Sequence, residues 1–158
     1  MDFNKLSLFI WNLLPGKAQW SVLWLMHAKF VVGVCGVIFD DEDKVLLIKH
    51  KYRRKDSVWG LPSGHANRGE ALEHILVREV FEETGYNIAV NSLLKVESGL
   101  NSRIELVYVG KFIGGNLKID PIEVSEVSFF NVDSLPKEII DAHRLLIENT
   151  HGMKNIGS

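Results

Sequence analysis

The chain predicts an α+β domain. Two short apolar helical runs come first, then a strand hairpin, a glycine-rich loop opening an acidic helix, more strands and a closing helix. Three observations carry that prediction. Nearly continuous apolar runs of strand length recur from Phe30 onward, bounded by turn-forming residues. Between them Leu72, Ile75, Leu76 and Val80 repeat at helical spacing. A fourth helical stretch follows Asp133-Ser134 and Pro136 near the end. At 158 residues, with 46% apolar and 24% charged side chains, the chain suits one globular domain with its own core.

Taken in order, Leu6 to Leu14 and Trp20 to Met26 are apolar runs rich in Trp, Leu and Phe, separated by Pro15-Gly16-Lys17. They predict two short helices, so that residues 1–29 form a helical extension packed on the domain or on a second subunit of a homodimer. The alternative is a membrane-surface or partner-binding helix pair, since apolar patches of this kind mark interaction sites. Neither run approaches the roughly 18–20 apolar residues of a transmembrane helix. Asp2 and the want of a small-residue cleavage site argue against a signal peptide.

The domain proper is read as residues 30–158. Phe30 to Phe39 is a strand, Asp40 to Asp43 an acidic turn and Lys44 to His50 the return strand. Lys51 to Ser57 is a basic loop, and Val58 to Pro62 leads into the glycine-rich loop. Beyond the acidic helix, Ile88 to Val96, Arg103 to Ile113 and Val127 to Val132 read as strands. The last helix opens at Asp133-Ser134 and runs to about Asn149. Trp59 reads as core. Cys35, in the apolar strand VVGVCGVIF, reads as a buried small residue and not a nucleophile.

Charge and cysteine content narrow the partners. A net charge of −2 gives no electrostatic footprint for a nucleic acid polymer or an anionic membrane. An anionic small molecule must then be held by local groups and metal. One cysteine excludes an intrachain disulfide and points to a reducing compartment, the cytoplasm. The chain shows no internal repeat, low-complexity tract or Cys/His zinc spacing.

Gly64 to Tyr86, GHANRGEALEHILVREVFEETGY, carries the chemistry. Glu79, Glu82 and Glu83 stand at i, i+3 and i+4, so they project from one helix face. Like charges on one face weaken a helix, and a purely structural helix has no reason to collect them. A hard divalent cation supplies the reason, because Mg²⁺ is typically shared between one or two carboxylates, water and substrate phosphates. Gly85 then closes the helix as a left-handed cap.

These residues resemble the signature of the MutT-like Nudix hydrolases, G-x5-E-x7-R-E-U-x-E-E-x-G-U, where U is bulky and apolar. Gly64, Glu70, Arg78, Glu79, Glu82, Glu83 and Gly85 fill every fixed position, and Val80 and Tyr86 fill the apolar ones, the second with an aromatic ring. Seven fixed identities match by chance roughly once in 10⁹ registers, which sets this pattern apart from short motifs.

The resemblance implies an α/β/α sandwich around a mixed β-sheet. It implies a pyrophosphohydrolase using Mg²⁺, with Mn²⁺ as the alternative. Metal-activated water attacks phosphorus in the anhydride of a small nucleotide substrate, a nucleoside diphosphate linked to a moiety X. Glu82 and Glu83 are the implied metal ligands with the carbonyl of Ser63, and Glu79 is a third ligand or the general base. Arg78 completes the catalytic set by pairing with a loop carboxylate and holding the box in shape. Glu70 is either a structural cap or a water-mediated ligand. A remote acid comes from Glu105, Glu123 or Glu126, with Glu126 the first choice. Lys51, Arg53 and Arg54 either clamp substrate phosphates or form an exposed loop, and His65 either touches substrate or stays on the surface. A noncatalytic nucleotide-binding or regulatory module on the same fold is the alternative function; an eroded box would favour it, and this box is intact. Subgroup marks are missing: Asn101 stands near the place of the ADP-ribose subgroup's proline, Ser102 to Ile104 near that of the dinucleoside polyphosphate subgroup's tyrosine, and the NADH subgroup's SQPWP-type segment is absent.

Overall fold

The structure, a computed structural model, describes residues 9, 11–53, 58–100 and 102–156. The chain divides into two compact units, residues 1–30 and 31–158. In the first, helix α1 spans Gly16–Met26 and starts directly after Pro15. Proline has no N–H to lose at a helix start, and the Pro15 carbonyl accepts the N–H groups of Ala18 and Gln19 at 2.8 and 3.1 Å. The helix therefore begins four residues earlier than the apolar run from Trp20 suggests. Residues 9 and 11–13 are also helical, while 1–8 and 10 of the first apolar run lie outside the described residues. Gln19 Nε2 donates to the Trp11 carbonyl at 2.9 Å and ties the two stretches together. Among the described residues no helix is long and apolar enough to cross a membrane.

The second unit is built on β1 (Val31–Phe39), β2 (Val45–His50), β3 (Trp59–Gly60), β4 (Ser63–His65), α2 (Leu72–Thr84), β5 (Tyr86–Leu100), β6 (Arg103–Gly115), β7 (Val124–Phe130) and α3 (Asp141–Ile156). One seven-stranded mixed sheet runs β3-β2-β1-β6-β5, with β4 also on β1 and β7 also on β2. The hairpin turn follows from Asp40, whose Oδ1 accepts the N–H groups of Glu42 and Lys44 at 2.9 and 2.8 Å. β1 pairs in parallel with β6 along its whole length. Its other edge meets β2 only at Phe39–Val45, which leaves room for β4. The pairs Val34–Gly64 and Cys35–Ser63 thereby fix the glycine-rich loop against the central strand.

Alternation along β1 divides the core. Val34 and Ile38 join Leu46, Leu106 and Tyr108 beneath Ile75, Leu76 and Val80 of α2. Cys35, Val37 and Phe39 join Leu47, Val107, Trp59 and Ile147 of α3 on the opposite face. Helices thus cover both faces of the sheet, the α/β/α sandwich. Ile75, Leu76 and Val80 are fully buried, each worth about 1.5–3 kcal/mol, whereas each like-charge pair on the helix costs only about 0.2–0.5 kcal/mol. Burial wins, and the acidic helix is held. Gly85 ends it at φ 73°, donating its N–H to the Phe81 carbonyl at 2.8 Å. Cys35 is core, and burial pushes its thiol up to about 12.

The last helix departs from expectation. Asp133-Ser134 lie in a single 3-10 turn, Val132–Ser134, and α3 begins only at Asp141. The intervening segment is drawn out against β3. Trp59 N–H donates to the Glu138 carbonyl at 3.1 Å, and Ile140 N–H to the Trp59 carbonyl at 3.0 Å. Pro136 constrains its predecessor to extended backbone, and the fully buried Ile139 anchors the segment beside Trp59. The observed strands β5, β6 and β7 extend or shift the expected ones by a few residues at their ends.

Gly36 sets the distance between sheet and box helix, because a Cβ there would overlap the Leu76 side chain. Gly36→Ala is expected to cost about 1–3 kcal/mol by overpacking. Urea denaturation should show a lower midpoint with unchanged slope; an unchanged midpoint would refute this account of the packing.

Candidate active site

Arg78, on α2, is the hub of the acidic box. Its Nε and Nη2 hold Glu70 from both oxygens at 2.7 and 3.1 Å, and Nη2 also donates to the His65 carbonyl at 3.1 Å. Nη1 reaches Glu82 at 3.0 Å and forms an ion pair with Glu79 at 3.0 Å. Those five contacts match the five N–H groups of a guanidinium. The hydrogen bonds to Glu70 raise the guanidinium pKa above its already high value, and the same bonds with the Asn67 N–H hold Glu70 low. Glu70 therefore anchors the loop. It precedes the helix instead of opening it, since the N-cap is Ala71 and no side chain caps the first turn.

The three box acids separate once folded. Glu83 is buried, and the His50 Nε2 donates to its Oε1 at 2.9 Å. Its Oε2 is buried without a hydrogen-bond partner among the described residues. Glu79 is half-buried against the loop, and a Cβ on Gly64 would collide with its carboxyl group. Burial raises the Glu79 pKa; Arg78 opposes that shift and the charge of Glu83 adds to it. Glu82 is mostly exposed and turned to Arg78. A cavity of about 420 Å³ opens here, lined by Ser63, Gly64, His65, Glu79 and Glu83 with His50 at its wall. Asn67, Arg78 and Glu123 complete the lining. Glu82 is not among the residues that line it.

Of the three remote acids, the structure brings Glu123 to this cavity. Glu126 lies opposite Lys49 in the β2–β7 register and pairs with its ammonium at 3.3 Å. Glu105 belongs to a second cavity of about 420 Å³, with Arg53, Arg103, Ile140, His143 and the mostly exposed Tyr52. Ser63 lines both cavities, so they adjoin. Of the basic loop, Lys51 Nζ is given to the Pro121 carbonyl, and Arg54 lies outside the described residues. Arg53 has Nη1 buried without a hydrogen-bond partner among the described residues, and burial lowers its pKa. It passes over Gly60, where a Cβ would overlap Nη1.

Two histidines escaped the sequence reading. His50 ends β2 and reaches Glu83 across 33 residues of sequence, a contact no local spacing announces. His143, in the first turn of α3, accepts the Leu61 N–H on Nδ1 at 3.0 Å. A backbone N–H can only donate, so the ring proton sits on Nε2. Burial, with the charges of Arg53 and His50, lowers the ring pKa to about 4. His143 is thus neutral near pH 7.

The NUDIX domain model matches residues 29–150, the whole of the box and both cavities included. The chain belongs to the NUDIX family. It is 36% identical to an ADP-ribose pyrophosphatase of Methanocaldococcus jannaschii, over 78% of this chain and 75% of that one. It is 30% identical to a putative 8-oxo-dGTP diphosphatase of Bacillus subtilis, over 68% and 70% of the two chains. A crystal structure of a UDP-X diphosphatase superposes with a TM-score of 0.66 at 26% identity, covering 89% of this chain and 73% of that one. This NUDIX protein is a hydrolase acting on phosphorus-containing acid anhydrides. Members of the family act on small nucleotides and generally use divalent metal ions.

The residues fit such an ion. The available donors are hard oxygens, and Glu83, whose buried Oε2 has no hydrogen-bond partner among the described residues, lines a cavity with Glu79 and Ser63. Among the described residues no three His, Cys, Asp or Glu side chains already converge as a closed cage; Arg78 takes one oxygen each of Glu79 and Glu82, and His50 takes one of Glu83. Such a half-open site suits an ion that takes part of its shell from substrate and water.

Arg78→Lys should keep the fold but lower kcat/KM about 10–100-fold, because an ammonium cannot hold Glu70 from both oxygens and still reach Glu79 and Glu82. Unchanged kcat/KM would show that the hub is dispensable. His143 gives a pH effect. Its folded pKa of about 4 lies below the ordinary 6.5, so the unfolded chain takes up a proton first as pH falls. Stability should be full above pH 6.5 and decline toward pH 4, by about 2–3 kcal/mol from this ring. In His143→Asn, whose Oδ1 can still accept the Leu61 N–H, urea midpoints between pH 7 and 4.5 should fall less than in the parent.

Proposed function

We propose that this NUDIX hydrolase is a Mg²⁺-dependent pyrophosphohydrolase, with Mn²⁺ as a substitute, that cleaves a nucleoside diphosphate linked to a moiety X. The observation that supports this reading most is the meeting of two cavities at Ser63, one acidic and one holding the Arg53 guanidinium, whose Nη1 has no hydrogen-bond partner among the described residues. An anhydride needs two things side by side. Its negative oxygens must be neutralised, and a water must be deprotonated as it attacks phosphorus. A divalent cation bound in the acidic cavity supplies Lewis-acid neutralisation and a water of lowered pKa.

The residues divide the remaining work. Glu83, Glu82 and the Ser63 carbonyl are the proposed holders of the ion, and Glu82 would turn from Arg78 to join it. Glu79, half-buried with its pKa raised, is the proposed acceptor of the proton from the attacking water, with Glu123 the second acid at the same cavity. His50 fixes one oxygen of Glu83 and leaves the other for the ion. Arg53, without a carboxylate partner among the described residues, takes the non-bridging oxygens of the second phosphate. The oxygen of water bonds to phosphorus, the bridging P–O bond breaks, and the products are two phosphate monoesters. His65 lines the same cavity and is the proposed contact to substrate from the glycine-rich loop. A single buried thiol suits a reducing compartment, and cytoplasmic action is part of the proposal.

Purified chain with Mg²⁺ should hydrolyse a member of a panel of nucleoside diphosphate derivatives, and chelator should stop it until Mg²⁺ is restored. Glu83→Gln should lower turnover at least about 100-fold without moving the urea midpoint downward. Full turnover in that variant would overturn the site assignment.

A further inference from the structure

The N-terminal unit carries an apolar surface that the reaction does not use. Along α1, Trp20, Leu23 and Trp24 share one face, while Val22, Leu25 and Met26 fall on another. No side chain of α1 is buried, and Trp20, Trp24, Leu25 and Met26 are 68–77% exposed. A helix on a protein surface keeps a polar face opposite its apolar one. In α1 the polar Lys17, Gln19 and Ser21 are spread among apolar neighbours, and no face is polar throughout. A protein partner, whether the domain or a second copy, would cover one side and leave the other in water. A helix apolar on all sides belongs in surroundings that are apolar on all sides.

Two further observations identify those surroundings. The polar side chains of the unit are turned inward onto its own carbonyls. Gln19 serves Trp11, Ser21 Oγ donates to Lys17 at 3.0 Å, His27 Nδ1 to Leu23 at 2.8 Å and Lys29 Nζ to Leu25 at 3.3 Å. Hydrocarbon demands such internal satisfaction, because it has no water to offer. Lys29 also lies over the Trp24 ring, 4.6 Å from its centroid, and cations beside indoles settle at the level of lipid headgroups. Charge is the second observation. Residues 1–30 hold Lys5, Lys17 and Lys29 against one acid, Asp2, in a chain of net charge −2. An anionic lipid surface therefore attracts this unit although the chain as a whole is acidic. The 11 residues of α1 make a rod of about 16 Å, too short for the roughly 30 Å of a bilayer core. We propose that the N-terminal unit anchors this hydrolase to an anionic lipid bilayer. Helix α1 lies within one leaflet, and Lys17 and Lys29 reach the lipid phosphates.

The test uses the full chain with vesicles of phosphatidylcholine, alone or with phosphatidylglycerol added. In flotation the chain should partition onto the phosphatidylglycerol vesicles at least about tenfold more strongly than onto phosphatidylcholine, and less so as salt rises. Lipid brominated on the acyl chains should quench its tryptophan emission, a readout that needs no variant. Trp20→Gln with Trp24→Gln should weaken partition at least about tenfold. Lys17→Gln with Lys29→Gln should lower the preference for phosphatidylglycerol about threefold or more, and neither pair should move the urea midpoint. A chain that stays soluble beside phosphatidylglycerol vesicles would overturn the proposal. In that event, a dimer dissociated by the tryptophan substitutions would make a second copy the cover of α1, and a monomer with tryptophans shielded from acrylamide would make it the domain. Equal binding to both vesicles, indifferent to the lysines, would overturn the choice of an anionic surface.

Discussion

A guanidinium has five N–H groups, and Arg78 gives all of them to the box: two to Glu70, one to the His65 carbonyl, one to Glu82 and one to Glu79. That fork joins the glycine-rich loop to the helix that follows it, so the loop's path and the helix's rotation cannot vary independently. It also answers the electrostatic difficulty of the segment. Three glutamates within five residues repel one another, and a cation placed among them turns repulsion into attraction over part of the cluster. Lysine could supply the charge but not the plane, and the two-oxygen grip on Glu70 depends on the plane. Glu83 lies outside this arrangement. Its partner is an imidazole at the end of β2, which engages one carboxylate oxygen; the second is buried without a hydrogen-bond partner among the described residues.

Burial makes the arrangement rigid. Ile75, Leu76 and Val80 commit one side of α2 to the sheet, and two glycines set how closely things approach. Gly36 admits Leu76 to the surface of β1, and Gly64 admits the carboxyl group of Glu79 to the backbone of β4. The second approach is the more consequential one. A side chain at position 64 would push Glu79 away from the Ser63–Gly64 strand, and that strand is itself held by its pairing to Val34 and Cys35. The box glycine is therefore a matter of space beside a carboxylate, while Gly85, at φ 73°, is a matter of backbone conformation.

What was legible in the sequence was whatever is encoded locally. The apolar runs of β1 and β2, the acidic turn between them, the helix from Leu72 and its left-handed end are all written in neighbouring residues. Arg78's pairing with a loop carboxylate was legible too, but that the partner is Glu70, expected as a cap or a water-mediated ligand, is given only by the structure. Where contacts join distant parts of the chain, the local signal misleads or falls silent. Asp133, Ser134 and Pro136 look like a helix start, yet Trp59 supplies the residues before α3 with strand-like hydrogen bonds from some eighty positions away. Glu126 and Glu123 are three residues apart on the same rim. Only the β2–β7 register decides that one faces Lys49 while the other reaches the acidic cavity. His50 and His143 carry no pattern of their own and become functional candidates through Glu83 and Leu61.

The same division explains why the reaction class is easier to read than the substrate. The acidic cavity comes mainly from one loop and one helix, with spacing fixed by the Arg78 fork, so its chemistry is confined to a short continuous stretch. The second cavity is assembled from the loop after β2, the start of β6 and the first turn of α3, which meet only because β1 and β6 run parallel and α3 covers that face of the sheet. None of those three segments constrains the sequence of the others, provided that Gly33 and Gly60 leave room for what crosses them. On the function proposed above, the fold can therefore keep the anhydride chemistry constant while changing the group attached to the diphosphate. Ser63 is where the two requirements meet: its backbone is held to Cys35 for the sake of the box, and it lines the wall on both sides.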